Sequence, residues 1–235
     1  MTVGSTEVTN SEGAGLAGAG AGKVTAVVFD VGETLVDETR AWERIADVYG
    51  VPRFTLMALV GAAIERGESH RQAFEWLGID GPFGGFSSDQ LYPDAVPCLR
   101  ALRERGFFVG AVGNMQALNE DVVRPYVDFV GSSERWGVEK PSDAFFHRVA
   151  EEAGRPAGEI AYVGDRVDND VLPAKRAGMF TVHVRRGPWG VLHDASEADV
   201  RIESLDELAA ALSRRRLDGA GPGAEAAAWP APERE

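Results

Sequence analysis

Val27-Val28-Phe29-Asp30-Val31-Gly32-Glu33-Thr34-Leu35-Val36-Asp37 is an apolar run that ends in a carboxylate, followed by a glycine and a threonine. Residues 24–29 have the unbroken apolar character of a strand buried on both faces, as strands of a parallel sheet are. In an open α/β sheet, ligands bind just beyond the carboxyl ends of such strands. Asp30 therefore stands where a nucleophile or a metal ligand is useful.

Outward from this stretch the same unit recurs. Strand-like runs at 107–112, 129–131, 160–163, 180–184 and 200–202 alternate with helical periodicity at 96–105, 120–126, 143–153, 168–177 and 205–214. Such alternation predicts an α/β fold with a Rossmann-like parallel sheet core covered on both faces. Residues 38–91 break the rhythm. They hold helical patterns at 38–49, 54–66 and 70–77 and no convincing strand. The expected organisation is thus a core made of residues 23–37 and 92–216, with a small all-helical cap, 38–91, inserted after the first strand. Residues 1–22 and 217–235 are rich in Gly, Ala, Ser, Thr or Pro and read as disordered tails. Gly13, Gly15 and Gly18 match a dinucleotide-binding pattern in letters but precede the first strand, where its mechanism has no use for them. Gly22-Lys23 lacks the Ser or Thr that must follow in a phosphate-binding loop.

Composition narrows the function. A net charge of −13 and a pI near 4.8 argue against a nucleic-acid partner or an anionic membrane surface. No stretch is apolar enough to span a bilayer and the N-terminus lacks the features of a signal peptide, so the expected location is cytoplasmic. A single cysteine, Cys98, excludes an internal disulfide and falls in a helical pattern, where a small buried residue is expected. The only lysines are Lys23, Lys140 and Lys175, which makes one inside a motif conspicuous. His70, His147, His183 and His193 have no metal-ligand spacing and receive no role. Trp42, Phe74 and Trp76 sit at helical positions that read as cap core, and Arg40, Arg44 and Arg71 as solvated faces. Pro188-Trp189-Gly190 follows a strand and is placed at the mouth of the site.

Four segments fall just past strands: Asp30-Val31-Gly32-Glu33-Thr34-Leu35; Gly113-Asn114; Lys140-Pro141; and Gly164-Asp165-Arg166-Val167-Asp168-Asn169-Asp170. Each residue alone has an ordinary reading: Asp30 as a turn cap, Lys140 as a surface ion pair, Asp165 or Asp170 as a helix cap. In this order and spacing, with a helical cap and Tyr92-Pro93-Asp94 leading back to the core, residues 24–212 resemble the haloacid dehalogenase superfamily of hydrolases. The resemblance implies Asp30 as a nucleophile that becomes an aspartyl phosphate. It implies a magnesium ion held by Asp30, the backbone carbonyl of Gly32, Asp165 and Asp170, with magnesium's preference for oxygen ligands. It implies Lys140 as a positive charge beside the transferring group, and Gly113 and Asn114 as phosphate binders. The implied partner is a small anionic substrate; oligomeric state is not readable.

The chain departs from the pattern at two places. Phosphatases of the superfamily carry a second Asp two residues after the nucleophile, as general acid and base, and this chain has Gly32. They carry Ser or Thr where this chain has Gly113. Losing a general acid–base costs roughly 10²–10⁴-fold in rate. The expectation is phosphate release from activated esters, with much weaker action on alkyl phosphates. Glu33 and Asp37 are the nearby substitutes, Glu33 being one residue out of register and expected to point elsewhere. Two other readings stay open: a dehalogenase-like hydrolase of small organic acids, and a weak or inactive domain that keeps the fold and binds a metabolite or a partner protein. A phosphonate-cleaving enzyme is excluded because residues 38–91 contain no lysine for a Schiff base. A sugar-phosphate mutase needs the missing Asp.

Overall fold

The computed structural model describes residues 23–80 and 84–217. The tails expected at 1–22 and 217–235, apart from Leu217, lie outside the described residues, as do Gly13, Gly15 and Gly18.

The chain enters through β1 (Ala26–Asp30) and passes into three helices, α1 (Thr39–Tyr49), α2 (Arg53–Glu65) and α3 (Arg71–Leu77). It then alternates helix and strand: α4 (Ala95–Glu104), β2 (Phe108–Gly113), α5 (Glu120–Val123), β3 (Phe129–Ser132), α6 (Ser133–Trp136), α7 (Asp143–Ala153), β4 (Ile160–Gly164), α8 (Leu172–Arg176), β5 (Phe180–Val184), α9 (Gly187–Leu192), β6 (Val200–Ile202) and α10 (Leu208–Leu217). The six strands form one parallel sheet in the order β3-β2-β1-β4-β5-β6. This is a Rossmann-like α/β architecture, as the alternation predicts.

Side chains alternate across β1. Val27 and Phe29 pack into a core with Leu99 and Leu102 of α4 and Leu208 and Leu212 of α10. Ala26 and Val28 face Phe145, Phe146 and Val149 of α7. Asp30 continues the second row, and all five residues of β1 are buried. Cys98 is buried on α4, where burial pushes its thiol up to about 12.

The three-helix segment has an apolar cluster of its own. On α1 the buried residues Ala41, Trp42, Ile45 and Ala46 fall on one helical stripe and meet Leu56, Val60 and Ile64 of α2 and Phe74 of α3. Trp76 differs from its expected place in that core. It is 39% exposed, with the Arg66 guanidinium over its ring, because it lies off the stripe that carries Ala73 and Phe74. The segment 187–192 is a short helix, with Pro188 in the first turn where a missing N–H costs nothing. Its Trp189 is buried against Trp42, ring centroids 6.1 Å apart, and so ties the inserted helices to the core. Among the described residues no single helix is long and apolar enough to cross a membrane.

Candidate active site

Register brings the four segments together. Asp30 is paired with Val112 across β1 and β2, and Phe29 with Val163 across β1 and β4. Gly113, next after Val112, and Asp165, which follows Gly164 at the end of β4, are therefore near Asp30 at the carboxyl edge of the sheet. A Cβ on Gly113 would stand 3.4 Å from Asp30 Oδ1.

Lys140 Nζ lies 2.7 Å from Asp30 Oδ1 and 2.6 Å from Asp170 Oδ1, and all three side chains are nearly inaccessible to solvent. Burial would lower the Lys140 ammonium, but the carboxylates of Asp170 and Asp30 outweigh it and hold it above its usual value. Burial, then the Asp170 charge, raises Asp30 to about 6 against the pull of Lys140. Asp170 also accepts from the Arg166 amide (3.1 Å) and the Tyr162 hydroxyl (3.4 Å). Asp165 is held by its backbone, whose carbonyl lies 2.8 Å from His183 Nε2.

Asp30, Asp165 and Asp170 each offer an oxygen within 4.8 Å of the others. Three carboxylates against one ammonium leave two uncompensated negative charges when all are ionised. Burial, followed by repulsion from Asp170 and Asp30, pushes Asp165 well above the usual carboxylate range. Its Oδ2 is buried without a hydrogen-bond partner. A buried acceptor left unpaired is costly, and an all-oxygen acidic cluster is the donor set a hard divalent cation takes. These residues fit magnesium.

Asn114 has a task that the sequence did not suggest. Its side-chain amide donates to the Lys140 carbonyl (2.9 Å) and its Oδ1 accepts from the Lys140 N–H (2.8 Å). The side chain thus clamps the backbone that presents the lysine.

Both expected substitutes for the missing acid are engaged elsewhere. Glu33 has a φ of 50° and is buried. Its Oε2 accepts from the Tyr92 hydroxyl at 2.7 Å and its Oε1 from the Glu38 N–H at 3.1 Å. Asp37 Oδ1 accepts from the Thr39 N–H (2.8 Å), at the start of α1. Glu38, which sequence reasoning passed over, stands instead at the site. Its carboxyl borders Gly32, and burial, then repulsion from Glu33 and Asp30, raises it to about 8. A signal for it was present: positions 38, 42, 45 and 46 form one helical stripe, so a glutamate occupies a register whose other members are apolar.

Asp30, Glu38, Lys140 and Asp165 line a cavity of about 650 Å³ together with Trp42, His70, Arg71 and Trp189. His70 packs edge-on to both indoles, and burial, with Arg166 and Arg71 nearby, lowers it to about 4, so it is neutral at pH 7. Arg166 lies over Trp189, 4.9 Å from the ring centroid, and pairs with Asp168.

Residues 24–178 match the haloacid dehalogenase-like hydrolases, and the chain belongs to this family. It is 41% identical over 121 residues to the glyceraldehyde 3-phosphate phosphatase of Methanopyrus kandleri, a match covering 49% of this chain and 52% of that protein. The chain thus spans about half the length of the curated relatives it matches. A HAD phosphatase from Thermococcus onnurineus has the same fold (TM-score 0.57, 24% identity, 83% of this chain and 99% of that one). So does a 2-haloacid dehalogenase from Pseudomonas syringae pv. Tomato DC3000 (TM-score 0.52, 22% identity, 81% and 99%). At these identities the structures share architecture only.

Proposed function

We propose that this protein is a magnesium-dependent phosphatase of a small phosphorylated metabolite, with Asp30 as nucleophile and residues 38–91 as a cap over the site. The observation that carries this reading is the buried Asp30–Lys140–Asp170 cluster beside Asp165, whose Oδ2 lacks a partner. A dehalogenase-like reaction does not need an acidic metal site of this kind. The glyceraldehyde 3-phosphate phosphatase relative supports a phosphorylated carbon skeleton as substrate, and a cavity of about 650 Å³ suits a molecule of that size.

Asp30, the Gly32 carbonyl, Asp165 and Asp170 would hold the magnesium. Bound there, it would neutralise the approach of a carboxylate to a phosphate dianion. Lys140 keeps Asp30 oriented and adds a fixed positive charge next to the phosphoryl oxygens. Amides at Gly113 and Asn114 present N–H donors to the phosphate, and the closeness of Gly113 to Asp30 makes this the side from which the phosphate is seated. In-line attack by Asp30 Oδ forms an acyl phosphate and releases the alcohol oxygen; water then returns the carboxylate and inorganic phosphate.

Phosphate release from 4-nitrophenyl phosphate and from glyceraldehyde 3-phosphate, with magnesium and with a chelator, tests the reading. Turnover is expected with magnesium, and Asp30→Asn is expected to fall to the assay background. An Asp30→Asn protein as active as the parent would remove this function.

A further inference from the structure

Gly32 leaves the second position of the catalytic loop without a side chain, but the space is filled by a carboxyl group. A Cβ placed on Gly32 would overlap Glu38 Oε1 and come within 2.9 Å of Glu38 Cδ, with Oε2 at 3.6 Å. The Glu38 carboxyl thus occupies the place where a side chain at position 32 would begin. Glu38 is half-buried, its exposed part facing the cavity that Asp30, Lys140 and Asp165 also line.

We propose that Glu38 is the general acid and base of the reaction, delivered from the head of α1 in place of a side chain at 32. The proposal rests on the phosphatase reading above. Its geometry is maintained by the neighbouring carboxylates: Glu33 accepts from the Glu38 N–H and is itself fixed by Tyr92, while Asp37 holds the Thr39 N–H. The Trp42 side chain, one turn along α1, interacts with the Glu38 carboxyl. Glu33 also borders the cavity, but both of its oxygens accept hydrogen bonds, and Asp37 is held by the Thr39 N–H, so Glu38 is the better placed of the three to exchange a proton with a substrate.

In the first step an Asp30 oxygen bonds to phosphorus as the bond from phosphorus to the leaving oxygen breaks. That oxygen takes the electron pair and the Glu38 proton, giving the alcohol. In the second step water attacks the aspartyl phosphate and gives its proton to the Glu38 carboxylate. Inorganic phosphate leaves, Asp30 regains its carboxylate and Glu38 is again protonated. Because the acid is present, alkyl phosphates are substrates, contrary to the expectation drawn from Gly32 alone.

The test compares the parent, Glu38→Gln, Glu38→Ala, Gly32→Asp/Glu38→Ala and Asp30→Asn, all with magnesium, on 4-nitrophenyl, glyceraldehyde 3- and glycerol 3-phosphates. Thermal unfolding monitors each fold. Nitrophenolate departs without a proton, so Glu38→Gln should keep the rate of its initial burst and slow only the later steady state, as the phosphoenzyme waits for a base. On the alkyl phosphates the same variant should lose roughly 10²–10⁴-fold. Moving the carboxylate to position 32 should recover at least part of that loss relative to Glu38→Ala. The proposal is overturned if the parent handles only the aryl ester. It is equally overturned if Glu38→Gln matches the parent on alkyl phosphates, if it loses the burst and alkyl turnover alike, or if the double variant is no better than Glu38→Ala. In those cases a silent Asp30→Asn leaves the phosphatase reading standing; an active one removes both.

Discussion

Gly187 has a φ of 64°, and a Cβ there would come within 2.8 Å of Glu33 Cβ and Cγ. Two reasons for glycine coincide, a left-handed backbone and a close approach to the residue that holds the Glu38 amide. Gly187→Ala is expected to destabilise the protein by about 1–3 kcal/mol, read from urea denaturation midpoints. It should also lower alkyl phosphate turnover more than the aryl burst, since displacing Glu33 frees Glu38. A variant as stable as the parent would show that neither constraint operates. Legibility at this scale was uneven. Asp30, Lys140 and the Asp165/Asp170 pair could be picked out because the chemistry expected after a strand needs those residue types. Asn114 read as a phosphate ligand because sequence gives no direction for an amide, which here turns to the Lys140 backbone.

At the scale of elements, the strands that enter and leave the helical insertion are tied together. The Tyr92 N–H donates to the Leu35 carbonyl and the Asp37 N–H to the Gln90 carbonyl. Arg186 joins both, donating to the Thr34 carbonyl (3.1 Å) and to Asp94 Oδ1 (3.0 Å). Asp94 also accepts from the Ser204 hydroxyl and the Leu205 N–H. Burial alone would raise its carboxyl, but Arg186 and these two donors outweigh it and hold it below the usual value. Arg186→Ala, by removing charged hydrogen bonds from a largely buried pair, should cost about 2 kcal/mol. A folded-state value below the unfolded one stabilises above the unfolded carboxylate range, near 3.8, and that contribution disappears as pH falls through the folded value. The difference in melting temperature between parent and Asp94→Asn should therefore be full at neutral pH and shrink on acidification below that range. A difference independent of pH would mean that the charge of Asp94 contributes nothing. Strands and long helices were readable from periodicity. Helix α9 was not: its six residues are too short to show a period, and Trp189 is buried only because α1 lies opposite.

Over the whole molecule, the sheet supplies rigidity and the site stores electrostatic cost. Ionised together, the three carboxylates at the edge of the central strands carry more charge than Lys140 compensates, which opposes folding unless a cation joins them. Magnesium should raise the melting temperature, by an amount equivalent to about 2.7 kcal/mol at a hundredfold excess over its dissociation constant. Asp165→Ala should abolish that rise. An unshifted parent protein would count against the metal assignment.

The α/β class and three of the four segments, those just past β1, β2 and β4, were written in the chain itself, because hydrophobic period and motif spacing are local properties; Lys140, expected just past a strand, instead follows α6 (Ser133–Trp136). The tertiary structure decided which carboxyl group borders Gly32 beyond the end of β1. Glu33 and Asp37 are nearer in sequence, but the left-handed turn at Glu33 and the hydrogen bonds that start α1 commit them to the backbone. Glu38 reaches the site because α1 leaves the sheet at an angle set by packing on α2, α3 and Trp189. That direction belongs to contacts as distant in sequence as Trp42 with Trp189, and no window of sequence contains them.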